Sequence, residues 1–126
     1  MVPWKCAAKP VRLDTKPVRY VIDNVDYNGL LNNPPSQSAI RYVEQQLQQQ
    51  IQAGPNARSR VGLYIVYDGA PSTGTDITMA DNVDNVIYQY LKQDLPNFHD
   101  ASTYDDLYLL GAQHTLVKID VFYFTR

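Results

Sequence analysis

A chain of 126 residues, 44% of them hydrophobic and 19% charged, has the length and composition of one small soluble-type domain with a modest core. No window approaches the roughly 20 consecutive apolar residues that span a bilayer, and the stretch from Met1 to Pro17, broken by Pro3, Pro10 and Pro17, lacks the apolar run of an export signal. The formal charge of −2 conceals an asymmetry: residues 1–60 carry eight Lys/Arg against four Asp/Glu, and residues 61–126 carry three against nine, about +4 and −6.

In chain order, residues 1–17 read as an extended basic arm, with Lys5, Lys9, Arg12 and Lys16 as candidate contact residues. The single cysteine, Cys6, sits in this arm; it has no companion for a disulfide or a zinc motif, which fits a reducing compartment. Residues 18–126 read as the folded domain. The β-branched and aromatic run Val18–Val25 predicts a strand, and residues 24–36 a loop. Ser36 or Ser38 then caps a helix whose apolar residues, Ile40, Val43, Leu47 and Ile51, recur at helical spacing until Gly54-Pro55 stops it. Its other faces are rich in glutamine, a polar but nearly uncharged surface that suits either solvent or another subunit. Val61–Tyr67 is apolar on both alternating faces, which predicts a central strand covered on both sides.

Asp68 to Thr78, with Gly69, Pro71 and Gly74, reads as a loop that carries contacts; Asp68, Thr73 and Thr75 are its candidate contact residues. A second helix is expected from about Thr78, with a Thr78/Asp81 capping box, to Leu95-Pro96. Val83, Val86, Ile87, Tyr90 and Leu91 form its apolar side, and Asp81, Asp84 and Tyr88 the opposite one. Tyr104–Gly111 and Leu116–Thr125 predict two closing strands joined by a short turn. Together these elements give an α+β class: a single small domain with a mixed, mostly antiparallel sheet and two helices packed on it.

Carboxylates three residues apart on a helix are neighbours, so Asp81 and Asp84 would share a divalent cation if Asp105 or Asp106 folded in opposite them. The competing reading takes acids in a first helical turn as partners of the helix dipole and acids before a strand as turn residues. His99 and His114, considered with Asp100, lack metal-ligand spacing, and no serine or cysteine stands in a nucleophile setting. The ten tyrosines are spread over the predicted strands and helices, as core and interface residues are.

The run Asp81 to Phe124 resembles the C-terminal half of RusA-like Holliday-junction resolvases, small dimeric metal-dependent nucleases. Their motif is aspartate, any residue, aspartate, asparagine at a helix start, then a lysine, then an aspartate pair before a closing sheet. Asp84-Asn85 matches the second aspartate and the asparagine, and Asp105-Asp106 the later pair. Asn82 replaces the first aspartate and Tyr88 the lysine. This resemblance implies Mg²⁺ or Mn²⁺ held by Asp81, Asp84 and Asp106, with Asp81 compensating for Asn82. The arrangement of elements over residues 38–126 is similar to tail-terminator and tail-completion proteins of tailed bacteriophages, which form rings and catalyse no reaction. A fainter likeness of Arg60–Pro71 and the last strand to coat proteins of small single-stranded DNA viruses conflicts with the strong first helix.

The leading expectation from these readings is a non-enzymatic virion assembly protein without a cofactor. It would act as a homo-oligomeric ring with other virion proteins, in the virion and in the host cytoplasm during assembly, with no membrane partner and nucleic acid less favoured. The alternative is the RusA-like nuclease or an inactive relative.

Overall fold

The computed structural model describes residues 12–104 and 107–125, the side chain of Tyr104 excepted. In chain order these form β1 (Arg12–Leu13), β2 (Val18–Ile22), α1 (Tyr27–Leu31), α2 (Gln37–Ala53), β3 (Val61–Ala70), α3 (Thr75–Asp94), a 3-10 turn (Pro96–Phe98), β4 (Ser102–Tyr104), β5 (Tyr108–Leu110) and β6 (Val117–Thr125). Val117, Ile119, Val121 and Tyr123 alternate along β6 and are all buried, so one face of that strand is committed to the core. β6 lies between β2 and β3 and runs antiparallel to both. The register sets Tyr20 opposite Ile119 and Tyr64 opposite Val121, which places these side chains on one face, where they join the buried residues of α2 and α3. Leu47, Ile51, Val66 and Phe98 in this core are fully buried, each contributing roughly 1.5–3 kcal/mol. The single-domain α+β class with a mixed, mostly antiparallel six-stranded sheet is the observed one.

Four local expectations are corrected. Residues 24–36 are not all loop: Asp26 accepts the Gly29 N–H at 2.9 Å and caps α1, a five-residue helix too short to show a period. β3 runs past Tyr67 to Ala70, because Asp68, Gly69 and Ala70 pair in parallel with Tyr108, Leu109 and Leu110. Asp68 is therefore a buried strand residue, not a contact residue of an exposed loop. α3 starts at Thr75 rather than Thr78, with Gly74 at φ 75° as its N-cap; the Thr78 hydroxyl bonds back to the Gly74 carbonyl, so no capping box forms. Finally, the closing segments do not pair with each other. β4 and β5 run parallel to β3 along one edge, and β6 is antiparallel on the other. The helix α3 thus serves as the crossover that parallel strands require.

The end of the basic arm is a short strand: Arg12 and Leu13 pair with Thr125 and Phe124 at the edge of β6. Lys16 is exposed in the bend that follows, while Lys5 and Lys9 lie outside the described residues. Ser36 is the N-cap of α2, accepting the Ala39 N–H, and Ile40, Val43, Leu47 and Ile51 are its buried stripe. No described helix lies over the second face of β3, where Leu63, Ile65 and Tyr67 are partly buried. Among the described residues no helix is long and apolar enough to cross a membrane.

One glutamate in the helix layer has a pH consequence. Glu44 of α2 borders a groove lined by Leu30, Val86 and Tyr90, and burial pushes its carboxyl up to about 8, with a hydrogen bond to Asp94 adding to the rise and Arg41 opposing it. A carboxyl raised on folding adds stability below its unfolded value of 4.5 and loses that contribution as the pH climbs to about 8. Glu44→Gln is expected to melt roughly 2–4 °C higher than wild type at pH 8.5 and to match it near pH 4, read from thermal scans across pH.

Candidate functional site: a buried carboxylate cluster

The inward stripe of α3 is wider than one row of residues. Ala80, Val83, Asp84, Ile87, Tyr88 and Leu91 are all buried, the i, i+3, i+4, i+7 pattern of a helix laid on a sheet. Asp84 and Tyr88 therefore face the sheet rather than the opposite side, and one Asp81 oxygen is buried beside the same face. Asn82 and Asn85 point outward. Asp81, the acid next to the motif's first position at Asn82, is only partly buried, with one carboxylate oxygen turned inward.

The residue that meets Asp84 comes from β3. Tyr64, Val66 and Asp68 share one face of that strand, and Asp68 is fully buried, as is Asp84. The Asp68 carboxyl is held well above the usual aspartate range, first by burial, then by its hydrogen bond with the Asp84 carboxyl and by the negative charges of Asp84 and Asp81. Among the described residues the charged side chains acting on it, Asp84 and Asp81, are both acidic. Two carboxyls so close in a low dielectric do not both ionise without help; they share a proton or take up a cation. Asp68 was missed as a member of this site because Gly69 and Pro71 mimic a loop, yet its period-two relation to Tyr64 and Val66 was present in the sequence.

The walls around the pair are fixed by hydroxyls. Tyr27 donates its hydroxyl hydrogen to the Leu116 carbonyl and accepts the Gly69 N–H at 2.6 Å. Burial raises this phenol, and the charges of Asp68 and Asp84 push in the same direction. Tyr88, where the motif has a lysine, accepts the Val66 N–H at 3.1 Å, and its carbonyl accepts the Tyr64 hydroxyl at 2.9 Å. That side chain ties the helix to the sheet and brings no positive charge to the acids. His114 lies against the Tyr27 ring, 5.4 Å between centroids, with a ring nitrogen 3.2 Å from the Asp76 carbonyl and 3.9 Å from its carboxylate.

Other sequence candidates lie apart from this cluster or outside the description. Thr73 and Thr75 are exposed in the segment that leads from β3 into α3, and Arg12 and Lys16 are exposed near the β6 edge. Asp105 and Asp106 lie outside the described residues; the next residue, Leu107, accepts the Asp68 N–H through its carbonyl at 3.5 Å. His99 bonds to the Gln93 carbonyl and Asp100 to Arg60, so the two histidines and Asp100 form no common site. Among the described residues no three His, Cys, Asp or Glu side chains are disposed to hold a metal ion. Comparison with protein-family models, with curated proteins and with solved structures gives no match to this chain.

Proposed function

We propose that the chain is a RusA-like, cation-dependent nuclease whose site is the carboxylate cluster. The observation that supports this reading is the fully buried pair of carboxyls, Asp68 at the end of β3 and Asp84 on the inward face of α3, with the charge of Asp81 acting on the same group. The donor set fits a hard divalent cation: it offers carboxylate oxygens, and among the described residues the charged side chains acting on Asp68 are acids. Asp68 and Asp84 would hold Mg²⁺ or Mn²⁺, Asp81 would take the part the motif gives to position 82, and Asp106, from outside the described residues, would complete the set. The ion, when bound, supplies a Lewis acid for a phosphodiester and lowers the pKa of water. The chain's own residues set the geometry: Tyr27 and Tyr88 pin β3 and α3 so that the acids are held together before any cation arrives.

Thermal scans with and without 1 mM Mn²⁺, paired with cleavage assays on a labelled four-way DNA junction, test this. Wild type is expected to rise by several degrees, since a ligand at about a hundred times its dissociation constant adds roughly 2.7 kcal/mol. Asp84→Asn and Asp68→Asn are expected to lose both the rise and the cleavage. No rise would overturn the site, and a rise without cleavage would overturn the nuclease while keeping a metal-binding relative.

A second reading, the homo-oligomeric virion assembly subunit, is favoured by the apolar side of the sheet that no described helix covers. On that reading the chain acts in the virion, and electron microscopy of the purified protein would reveal rings; particles no larger than dimers would count against it.

A further inference from the structure

Between the three helices runs a groove whose walls include Leu30 of α1, Val43 of α2 and Val86, Tyr90 and Leu91 of α3, with Glu44 of α2 among them. Glu44 is the exception in this lining, which is otherwise aliphatic apart from the Tyr90 ring. Its side chain is half-buried, and its Oε2 is buried and accepts no hydrogen bond among the described residues. The neighbours do not supply the missing donor. Arg41, one turn earlier on α2, is exposed and belongs to none of the described ion pairs, and the Asp94 carboxyl of α3 meets Glu44 as a second acid. A carboxyl set in hydrocarbon lowers stability unless a donor or a counter-charge offsets its desolvation, and such groups concentrate where something is bound.

We propose that this groove binds a small aliphatic amine, its ammonium head on Glu44 and Asp94 and its carbon chain along the apolar walls. Size selects the chain. The groove encloses about 190 Å³, part of it open to solvent, or roughly six water volumes at about 30 Å³ each. Drug-sized and cofactor ligands occupy about 300–1000 Å³, so the occupant is a short, flexible stem. Charge selects the head. An ammonium brings three N–H donors and one positive charge to two carboxyls that, among the described residues, have no cation paired with them, and it takes the place of the proton in the hydrogen bond between Glu44 and Asp94. The last torsion of a glutamate is soft, so Oε2 turns to meet the head while α2 stays in place. Tyr90 adds an aromatic wall, which suits a cation and a methylene chain alike. A divalent metal is the weaker fit, since it asks for about six oxygens and this groove sets one carboxyl pair in hydrocarbon. A neutral alcohol would fill the same space and leave the acids without a counter-charge.

The lining includes none of Asp68, Asp81 and Asp84, so the proposal is independent of the nuclease reading. Its test is a ¹H–¹³C methyl correlation titration of the full chain with pentylamine, with 1-pentanol and sodium chloride as matched controls and Glu44→Gln as the variant. The titration is run at pH 8.5, above the Glu44 value of about 8 and below the pKa of an alkyl amine, which like that of lysine is about 10.4. Methyl signals of Leu30, Val43, Val86 and Leu91 are expected to shift together and saturate with a dissociation constant of about 1 mM or below. Pentanol is expected to bind at least tenfold more weakly. Glu44→Gln, which is expected to melt higher than wild type at this pH, should weaken pentylamine at least tenfold while its Mn²⁺ response stays unchanged. The comparison of amine with alcohol on the wild type decides the matter if the variant does not fold. No saturation by about 50 mM amine, shifts that sodium chloride reproduces, equal binding of pentanol, or equal binding by Glu44→Gln each overturns the proposal.

Discussion

Replacing Asp68 by asparagine raises the melting midpoint of the cation-free protein at pH 7 by roughly 4–8 °C, the equivalent of about 1–2 kcal/mol. The fold buries the Asp68 carboxyl completely and sets it against that of Asp84, so it gives up its proton far less readily than in the unfolded chain. A carboxyl raised on folding contributes stability that is complete below the unfolded value, near pH 4, and that disappears as the pH rises through the folded one. At neutral pH the wild type therefore stands on the descending part of its curve or beyond it. Asparagine has nearly the same shape, does not ionise, and offers an N–H to Asp84, which removes the descent. The difference between variant and wild type should vanish near pH 4 and shrink when Mn²⁺ is added to the wild type, because a cation takes the place of the shared proton. A variant that melts lower than wild type at pH 7 in chelator would mean that the ionised carboxylate is held by a favourable partner.

Gly69→Ala should have the largest effect in the other direction, a loss of about 3 kcal/mol and of roughly 10 °C in the midpoint. The backbone of the turn before β6 crosses directly over this residue. A Cβ at position 69 would stand 1.9 Å from the Gln113 carbonyl oxygen and 2.8 Å from its carbon, and a main chain cannot swing aside as a side-chain tip does. The same N–H is shared between the Tyr27 hydroxyl at 2.6 Å and the Leu116 carbonyl at 3.1 Å, so displacement of the strand would also break the wall of the acid site. Thermal denaturation of the variant checks this, and an unchanged midpoint would show that residues 111–116 are free to shift outward.

The parts of this fold that local sequence specifies were legible in it. α2 was readable from end to end, since a serine cap, an apolar stripe and Gly54 are all short-range signals. β6 was readable from its alternation. What could not be read depends on partners distant in the chain. The last three residues of β3 look like a loop until Tyr108–Leu110 supplies the parallel neighbour that keeps them extended, and the turn at 111–114 suggests a hairpin although its two strands lie on opposite edges of β3. At the site, Asp81 and Asp84 were visible as a pair, but their direction was not. Counting one apolar row on α3 placed them outside, whereas the helix rests on the sheet along two adjacent rows. Tyr88 followed the same error, and its hydrogen bond to Val66 shows what a tyrosine does there that a lysine would not.

β6 holds together what the rest of the chain keeps apart. It is the last of the described strands in chain order, yet it sits between β2 and β3, and the Arg19–Asp120 pair spans 101 residues of sequence. During synthesis the apolar stripes of α2 and α3 leave the ribosome with no completed sheet to rest on. Completing the sheet therefore closes a loop of about a hundred residues, and refolding is expected to be slower than helix formation alone would allow.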